Sequence, residues 1–276
     1  MKERTIKRIL KISGVSFVLL FCLAPLAFML AVSIADRADF LSAQVSFNIT
    51  AVNYKAILTD KSLHFPDYLR NSFIVSFGSA FLAVLLASIA AYAISRLRMP
   101  GKVGLMMLVL VASMIPQIAL VGYLFKILTA FHSINTYRSL ILPYTALVEP
   151  LALWVLVSYF SQIPKELDEA ALVDGCSRWQ ILWRIIFPVA FPAIFSVFLL
   201  AFVFSFNEFI FALMFTTSYQ THTIPVGIAL FEGIHGQTPW GNIMAASIIS
   251  VTPIIILVLL FERNVISGLT SGAVKG

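Results

Sequence analysis

The amino-acid sequence predicts an all-α integral membrane protein with six transmembrane helices and one short cytoplasmic helix. Of the 276 residues, 60% are hydrophobic and only 12% are charged, about half the charged fraction of a typical soluble chain. The apolar residues form long runs with almost no charge, and a helix needs about 20 such residues to cross a bilayer. These runs are too long and continuous for the strands of a membrane β-barrel. The six predicted spans are 12–35, 71–95, 103–125, 139–160, 185–214 and 243–261.

The first predicted span follows a basic segment, residues 1–11, and so has the general form of a secretory signal peptide. Its apolar run is longer than that of a typical signal peptide, and no clear small-residue cleavage site follows it. The bulky Phe21 before Cys22 fits poorly into a lipoprotein cleavage site. We interpret the run as an uncleaved span. The second cysteine, Cys176, lies in a polar loop, so the pair does not indicate a disulfide framework.

The distribution of Lys and Arg predicts the orientation of the spans. With the N-terminus in the cytoplasm, most of the 19 Lys and Arg residues fall on the cytoplasmic side, and the external loop 215–242 contains none. Both termini are then cytoplasmic. The net charge of +6 follows from this topology and does not indicate a nucleic-acid partner. We find no repeat or soluble segment, and predict a single membrane domain over residues 1–276.

The cytoplasmic loop 161–184 is predicted to contain a short helix at about residues 165–174. Pro164 suits the start of a helix, and Gly175 suits the left-handed conformation that ends one. The acidic residues in the first turns are favourable at the positive end of the helix dipole. A second helix is expected at about 177–187, leading into Pro188.

One face of the short helix is predicted to contact another protein. The face is made by Leu167, Ala170, Ala171 and Asp174, and its two alanines make it thin enough for a close approach. The alternative is an amphipathic helix on the inner leaflet of the membrane. Such helices carry Lys and Arg along the polar face, whereas this helix is acidic at its centre, which favours a protein groove.

The loop sequence resembles a known motif. Glu169-Ala170-Ala171, then Gly175, then Ile186-Phe187-Pro188 are similar to the EAA loop of ATP-binding-cassette (ABC) importer permeases. Cys176 stands where that family usually has alanine, and is small enough to fit.

Three further segments resemble the carbohydrate-uptake branch of these permeases, and within it the six-span subunit of the maltose transporter. They are Phe206-Asn207-Glu208-Phe209, residues 223–227 and the C-terminal residues 268–276. The resemblance extends from about Asn71 to the C-terminus.

The resemblance implies a multi-pass protein of the cytoplasmic (inner) membrane that works with several partners. The expected partners are a pair of ABC ATPase subunits, a second permease subunit, an extracytoplasmic solute-binding protein and the lipid. The short helix would be the coupling helix, seated in a cleft of the ATPase and moved when two ATPase subunits close on ATP. The ATPase contacts would be Glu169, Ala170, Ala171, Asp174 and Gly175. Residues 267–276 are either a second docking segment or a frayed terminus.

The sequence contains no catalytic motif. ATP hydrolysis needs a phosphate-binding loop of the form G-x-x-x-x-G-K-[ST], and Gly101-Lys102 is followed by Val103 and has no glycine at the required upstream position. The four histidines lack the spacing of zinc ligands. We therefore expect no enzyme activity and no cofactor in this chain, with ATP and Mg²⁺ bound by the partner ATPase.

Polar residues inside the predicted spans are candidates for the substrate pathway, because ionisable groups in lipid are costly. Alternatives are a partner-subunit contact for Glu149 and an interhelical hydrogen-bond clamp for Asn207 and Glu208. Gln117 follows Pro116, which is expected to break the third span. The candidates are Gln117, Glu149, Asn207 and Glu208.

The external loop around residues 232–240 combines hydrogen-bonding groups with an aromatic ring, a mixture that suits sugars. In maltose-type permeases this loop contacts the solute-binding protein. The candidate contacts are Glu232, His235, Gln237 and Trp240, next to Thr238. For Trp240 the alternative is an ordinary aromatic anchor at the membrane surface.

The expected solute is a di- or oligosaccharide, with glycerol-3-phosphate or another polyol as the alternative. A secondary transporter or channel that works without ATP is the alternative from another class. It is disfavoured because titratable groups in the spans are sparse and no internal repeat is evident.

Overall fold

A computed structural model of the chain describes the backbone of residues 2–39, 44–231 and 238–270, and the side chains within 6–36, 48–231 and 238–261. The described part is helical apart from one antiparallel hairpin, β1 (Ala35–Asp39) and β2 (Gln44–Ile49). A 3₁₀ turn, Lys61–Leu63, precedes α3, and a π-helical turn, Leu182–Ile186, joins α8 to α9. The helices are α1 (Lys2–Ser33), α2 (Val52–Thr59), α3 (Phe65–Arg96), α4 (Lys102–Ser113), α5 (Gln117–Ala130), α6 (Arg138–Gln162), α7 (Glu166–Val173), α8 (Arg178–Ile181), α9 (Phe187–Phe206), α10 (Ile210–Phe215), α11 (Ile224–Ala229) and α12 (Trp240–Thr270).

The predicted all-α membrane class is confirmed. By length and composition, 5 helical segments of the described chain can cross a membrane, and the number is 6 if the bent pair α4 and α5 forms one span. The bend of 92° lies where the sequence predicts a broken third span, at Pro116. Proline cannot donate the N–H that would continue the helix, and α5 begins at the next residue, Gln117.

The fifth predicted span, 185–214, differs from the observed helices at both ends. The helical segment begins earlier, at Arg178, where the Ser177 and Gln180 side chains form a capping box. It ends earlier, at Phe206, and the short helix α10 follows after a break.

Contacts between Cα atoms divide the chain into two compact units. The first is Met1–Pro66 with Ile228–Pro253, and the second is Asp67–Gly227 with Ile254–Gly276. In the first unit, Asn53 Nδ2 donates hydrogen bonds of 2.9 Å to the carbonyl oxygens of Ser33 and Ala35. These bonds attach α2 to the end of α1. The single domain expected from sequence stays a prediction.

The core of the second unit is built where α3, α6 and α9 pack. Small residues permit this packing, as expected for helices in lipid: a side chain at Gly78 would lie only 3.1 Å from Ile141 Cδ1. Thr145 Oγ1 on α6 lies 3.4 Å from Ser79 O on α3. The Phe77 and Phe198 rings meet edge to face with centroids 5.4 Å apart. These contacts join α3 to both of the other helices.

A polar network fixes the segment after α10. Asn135 Oδ1 accepts hydrogen bonds from the backbone N–H groups of Thr217 and Ser218, at 3.0 and 3.2 Å. Asn71 Nδ2 on α3 donates to the carbonyl oxygens of Tyr219 and His222, at 3.1 and 2.9 Å. The first turns of α3 and the loop before α6 therefore hold this segment in one conformation.

Gly227 in α11 lies directly against the Tyr68 ring of α3. A Cβ atom added at Gly227 would lie 2.5 Å from both Cε2 and Cγ of Tyr68. The Tyr68 side chain is 7% exposed and has little room to move. Glycine at this position is therefore a packing requirement.

We expect Gly227→Ala to destabilise the protein by about 1–3 kcal/mol, the usual cost of overpacking a buried site. Gly122→Ala on α5 is the matched control, because nothing lies within 4 Å of a Cβ added there. The measurement is the apparent melting temperature of the detergent-solubilised protein. Equal melting temperatures for the two variants would contradict the close contact with Tyr68.

Candidate functional site

The short helix predicted in the loop after α6 is present as α7. Lys165 and Asp174 flank its ends, and Gly175 adopts the left-handed conformation expected from the sequence, with φ of 83°. The N–H of Cys176 donates to Ala171 O at 2.9 Å, and that of Gly175 to Leu172 O at 3.1 Å. This pair of bonds is a Schellman motif, so the helix ends at a fixed position and the chain turns sharply.

The two sides of α7 have different surroundings. Asp168 and Ala171 are buried at 5% and 4% exposure, and Ala171 belongs to the core cluster that contains Phe160 and Ile181. On the outer side, Val173 is 89% exposed and Glu169 is also exposed. One side of the helix thus packs against its own chain, and the other side is exposed.

The face predicted from helical periodicity is divided between these two sides. Ala170, Leu167 and Asp174 are exposed, as expected for a docking face. Ala171 instead packs inside the chain. The physical reason is that the side chains of residues 168 and 171, three apart, share a side of the helix, and Asp168 is held inward by a buried cation.

That cation is Arg96, the last residue of α3. Its Nη1 lies 3.3 Å from Asp168 Oδ2, and the two side chains are 1% and 7% exposed. The exposed Arg178 guanidinium also acts on the Asp168 carboxylate. A buried ion pair therefore joins α7 to the end of a membrane span. In the sequence, Arg96 is one of the cytoplasmic Lys and Arg residues that predict the orientation, and its position directly after an apolar run is the one local signal of a further role.

Burial raises the pKa of Asp168 above its ordinary value of 3.8, although Arg96 and Arg178 act in the opposite direction. The folded state thus binds this proton more tightly than the unfolded state does. The contribution of this bound proton to the free energy of unfolding is fully present below the pKa of the unfolded state. It is lost as pH rises through the raised pKa of the folded state. At neutral pH the pair fixes geometry, as buried ion pairs often do, and adds little net stability.

Glu208 occupies the break between α9 and α10 and is 6% exposed. Its Oε1 accepts a hydrogen bond from the N–H of Phe211 at 2.9 Å, and its Oε2 from that of Ala212 at 3.2 Å. The carboxylate therefore caps the N-terminus of α10. Asn207 beside it is exposed, and its Nδ2 donates to Val203 O at 2.7 Å.

The other two pathway candidates lie elsewhere. Glu149 on α6 is half-buried, and its Oε2 has no hydrogen-bond partner among the described residues. Gln117 is half-buried at the first position of α5. No hydrogen bond among the described residues joins Glu149, Gln117 and Glu208.

Most of the predicted external contacts lie outside the described residues, namely Glu232, His235 and Gln237. Trp240 is described: it is the half-buried first residue of α12, and its backbone N–H donates to Thr238 O at 2.9 Å. Residues 271–276 of the predicted C-terminal docking segment also lie outside. In the part of the chain that was searched, no group of three or more His, Cys, Asp or Glu residues could hold a metal ion.

These features define a class: a helical, multi-pass membrane subunit with a broken span and a short helix tied to the membrane helices. Residues 83–271, more than half of the chain, match the family described as binding-protein-dependent transport system inner membrane component. The chain belongs to this family of ABC importer permeases, which confirms the resemblance found in the EAA loop, and it is a multi-pass inner-membrane protein.

Full-length relatives support the assignment. The chain is 50% identical over 277 residues to the trehalose/maltose transport system permease protein MalG of Thermococcus litoralis, with 100% of both chains covered. It is 38% identical over 281 residues to the inner membrane ABC transporter permease protein YcjP of Escherichia coli, with 99% of both covered.

The same fold occurs in a solved structure. A chain of a bacterial ABC transporter involved in the import of the acidic polysaccharide alginate superposes with a TM-score of 0.77, covering 95% of this chain and 98% of that one. The two sequences are 17% identical, so this likeness concerns the fold alone.

We expect Arg96→Met to destabilise the protein by about 3–5 kcal/mol, because it leaves the Asp168 carboxylate buried without its partner. The double variant Arg96→Met/Asp168→Leu removes both charges at similar volume and should recover most of that loss. Apparent melting temperatures measure both effects. A double variant no more stable than Arg96→Met would show that the two side chains do not act as a pair.

We expect Glu208→Ala to cost about 2 kcal/mol, because two buried N–H groups lose their acceptor. Asn207→Ala, at the exposed neighbour, is the control and should change stability little. The melting temperature tests the capping role directly. Unchanged stability of Glu208→Ala combined with lost uptake would instead assign the carboxylate to the substrate pathway.

Proposed function

We propose that this chain is the permease subunit of an ABC importer that translocates a sugar, most simply a di- or oligosaccharide, delivered by an extracytoplasmic solute-binding protein. ATP and Mg²⁺ bind to separate ATPase subunits, and a second permease subunit completes the pathway. Both termini and α7 lie in the cytoplasm. The family membership and the 50% identity to a trehalose/maltose permease support the sugar assignment.

The single observation that carries the coupling role is that one side of α7 is buried against its own chain while the other side is exposed. Its outer side offers an apolar contact at Val173, which is 89% exposed, beside the exposed Glu169 and Ala170. Burying a valine side chain contributes about 1.5–3 kcal/mol, so an ATPase cleft that covers this side gains a useful apolar contact. Glu169 adds a charged hydrogen bond to a basic or polar group of the cleft.

The inner side transmits the movement of the ATPase to the spans. Asp168 passes it to α3 through Arg96. Ala171 passes it to α6 and to the segment leading into α9 through the core that contains Phe160, Ile181 and Leu182. Close-packed interiors have low compressibility and transmit strain. A shift of α7 therefore moves the cytoplasmic ends of the spans together.

Glu149 and Gln117 are the proposed solute contacts inside the membrane. The Oε2 atom of Glu149 is buried and has no hydrogen-bond partner among the described residues. A buried polar group needs such a partner, and a sugar hydroxyl group that reaches this oxygen would supply one. Glu208 is assigned to capping instead, because both of its oxygens accept hydrogen bonds from backbone N–H groups at the start of α10. The loop with Glu232, His235, Gln237 and Trp240 is the proposed contact for the binding protein.

The coupling role is tested with Glu169→Lys in the assembled transporter. The variant should insert and assemble with the second permease, but a loss of about 1.4 kcal/mol in docking lowers ATPase occupancy tenfold, and ATP-dependent trehalose or maltose uptake should fall accordingly. Asp36→Lys is the control, because it makes the same charge change at an exposed residue of the predicted external loop.

Uptake in proteoliposomes and co-purification of the ATPase are the two measurements. Normal values of both in Glu169→Lys would reject the coupling role. Transport by the purified chain alone, driven by an ion gradient without ATPase, would instead establish a secondary transporter.

A further inference from the structure

A basic cavity of about 450 Å³ lies at the connection between α3 and α4. Four cationic residues line it: Arg96, Arg98, Lys102 and Lys165. No acidic residue is among its lining residues. Arg98, Lys102 and Lys165 are exposed, so an anion can reach them from solvent or from the membrane surface.

Arg96 has unused hydrogen-bonding capacity. Its side chain is 1% exposed, and its Nε, Nη1 and Nη2 atoms have no hydrogen-bond partner among the described residues. Its one close anion is Asp168, in the ion pair described above. A guanidinium has five N–H donors, and buried polar groups in native proteins are nearly always satisfied. The residues around the cavity thus include a buried cation whose close anion is the Asp168 carboxylate.

The N-terminus of α4 adds a second anion-binding element. Its N-cap is Gly101, with φ of 75° and no side-chain cap, and its first turn contains no acidic residue. The free N–H groups and the positive end of the dipole favour an oxyanion at such a position. Lys102 in the first turn would oppose the dipole unless an anion lies close to both.

We infer that this cavity binds an oxyanion of the phosphate type, and that its source is the headgroup of an anionic phospholipid of the inner leaflet. Arg96 ends one span and Lys102 begins the next, which places the cavity at headgroup depth. Basic pockets at the cytoplasmic ends of transmembrane helices bind such headgroups. Beyond the cavity, α4 exposes an apolar side at Val103, Met107 and Leu108, along which acyl chains can lie.

The bound headgroup also acts on α7. Lys165 lies directly before α7, and Arg96 is paired with Asp168 inside it. A phosphate held by Lys165 and by the N-terminus of α4 therefore fixes α7 against the α3–α4 connection. This regulatory consequence rests on the proposed coupling function, whereas lipid binding itself does not.

The test compares two triple variants of the assembled transporter. Arg98→Gln/Lys102→Gln/Lys165→Gln neutralises the exposed cations of the cavity. Lys7→Gln/Arg8→Gln/Lys11→Gln is the matched control, with the same charge change on exposed residues of the same predicted side.

The proteins are titrated in phosphatidylcholine nanodiscs with spin-labelled phosphatidylglycerol or phosphatidylcholine. We expect preferential binding of phosphatidylglycerol to the wild type and to the control, and at least a tenfold loss of that preference in the cavity variant, because three cations that attract the anionic headgroup are removed. Equal losses in both triple variants, or no preference in the wild type, would overturn the headgroup assignment. Unchanged melting temperatures are expected, since the substituted residues are exposed.

Two further measurements separate the sources and the functions. Inorganic phosphate added to the lipid-free complex should not raise its melting temperature. Thermal stabilisation of the wild type by phosphate alone, absent in the cavity variant, would reject the lipid source. ATP-dependent uptake with and without phosphatidylglycerol then tests regulation. Failure of the Glu169→Lys test leaves the binding result standing, and failure of phosphatidylglycerol binding leaves the transport function standing.

Discussion

The buried ion pair between Arg96 and Asp168 is the constraint on which the arrangement of the cytoplasmic side depends. Removing two charges from water costs several kcal/mol per ion, and their attraction offsets this only when the geometry is good. Arg96 ends a membrane span, so it cannot move far without moving the span. Asp168 therefore holds α7 in one position, and this determines that Ala171 points into the core while Val173 and Glu169 face outward.

At the opposite end of the same helices, polar side chains also fix the conformation of the chain, through hydrogen bonds to the backbone instead of an ion pair. Asn71, Asn135 and Glu208 each bind backbone groups that no regular helix satisfies. Backbone groups left unpaired in lipid cost several kcal/mol each, so every break in a span needs a side chain or loop to complete it. The breaks after Met114 and Phe206 are thus stable features of the fold, and the second is completed by the carboxylate of Glu208.

Much of the fold follows from local sequence alone. Apolar runs without charge predicted the spans, because lipid admits few other backbone structures. Pro116 predicted the bend between α4 and α5, and Gly175 the left-handed end of α7, because each restricts its own backbone. The EAA spacing identified the family that the comparisons confirm. Glu208 was a candidate for the substrate pathway or for a hydrogen-bond clamp; the structure shows its carboxylate accepting hydrogen bonds from two backbone N–H groups, and the pathway role stays a prediction.

The sequence by itself determined the membrane class, the approximate spans, the short acidic helix and the family, because these depend on composition and on neighbours along the chain. The tertiary structure alone decided which side of that helix is buried and which cation holds it. Helical periodicity places Asp168 and Ala171 on one side of α7, but a partner 72 positions away, Arg96, selects the direction in which that side points. A contact between residues so distant in sequence leaves no local pattern, and its effect is visible only once the spans have packed.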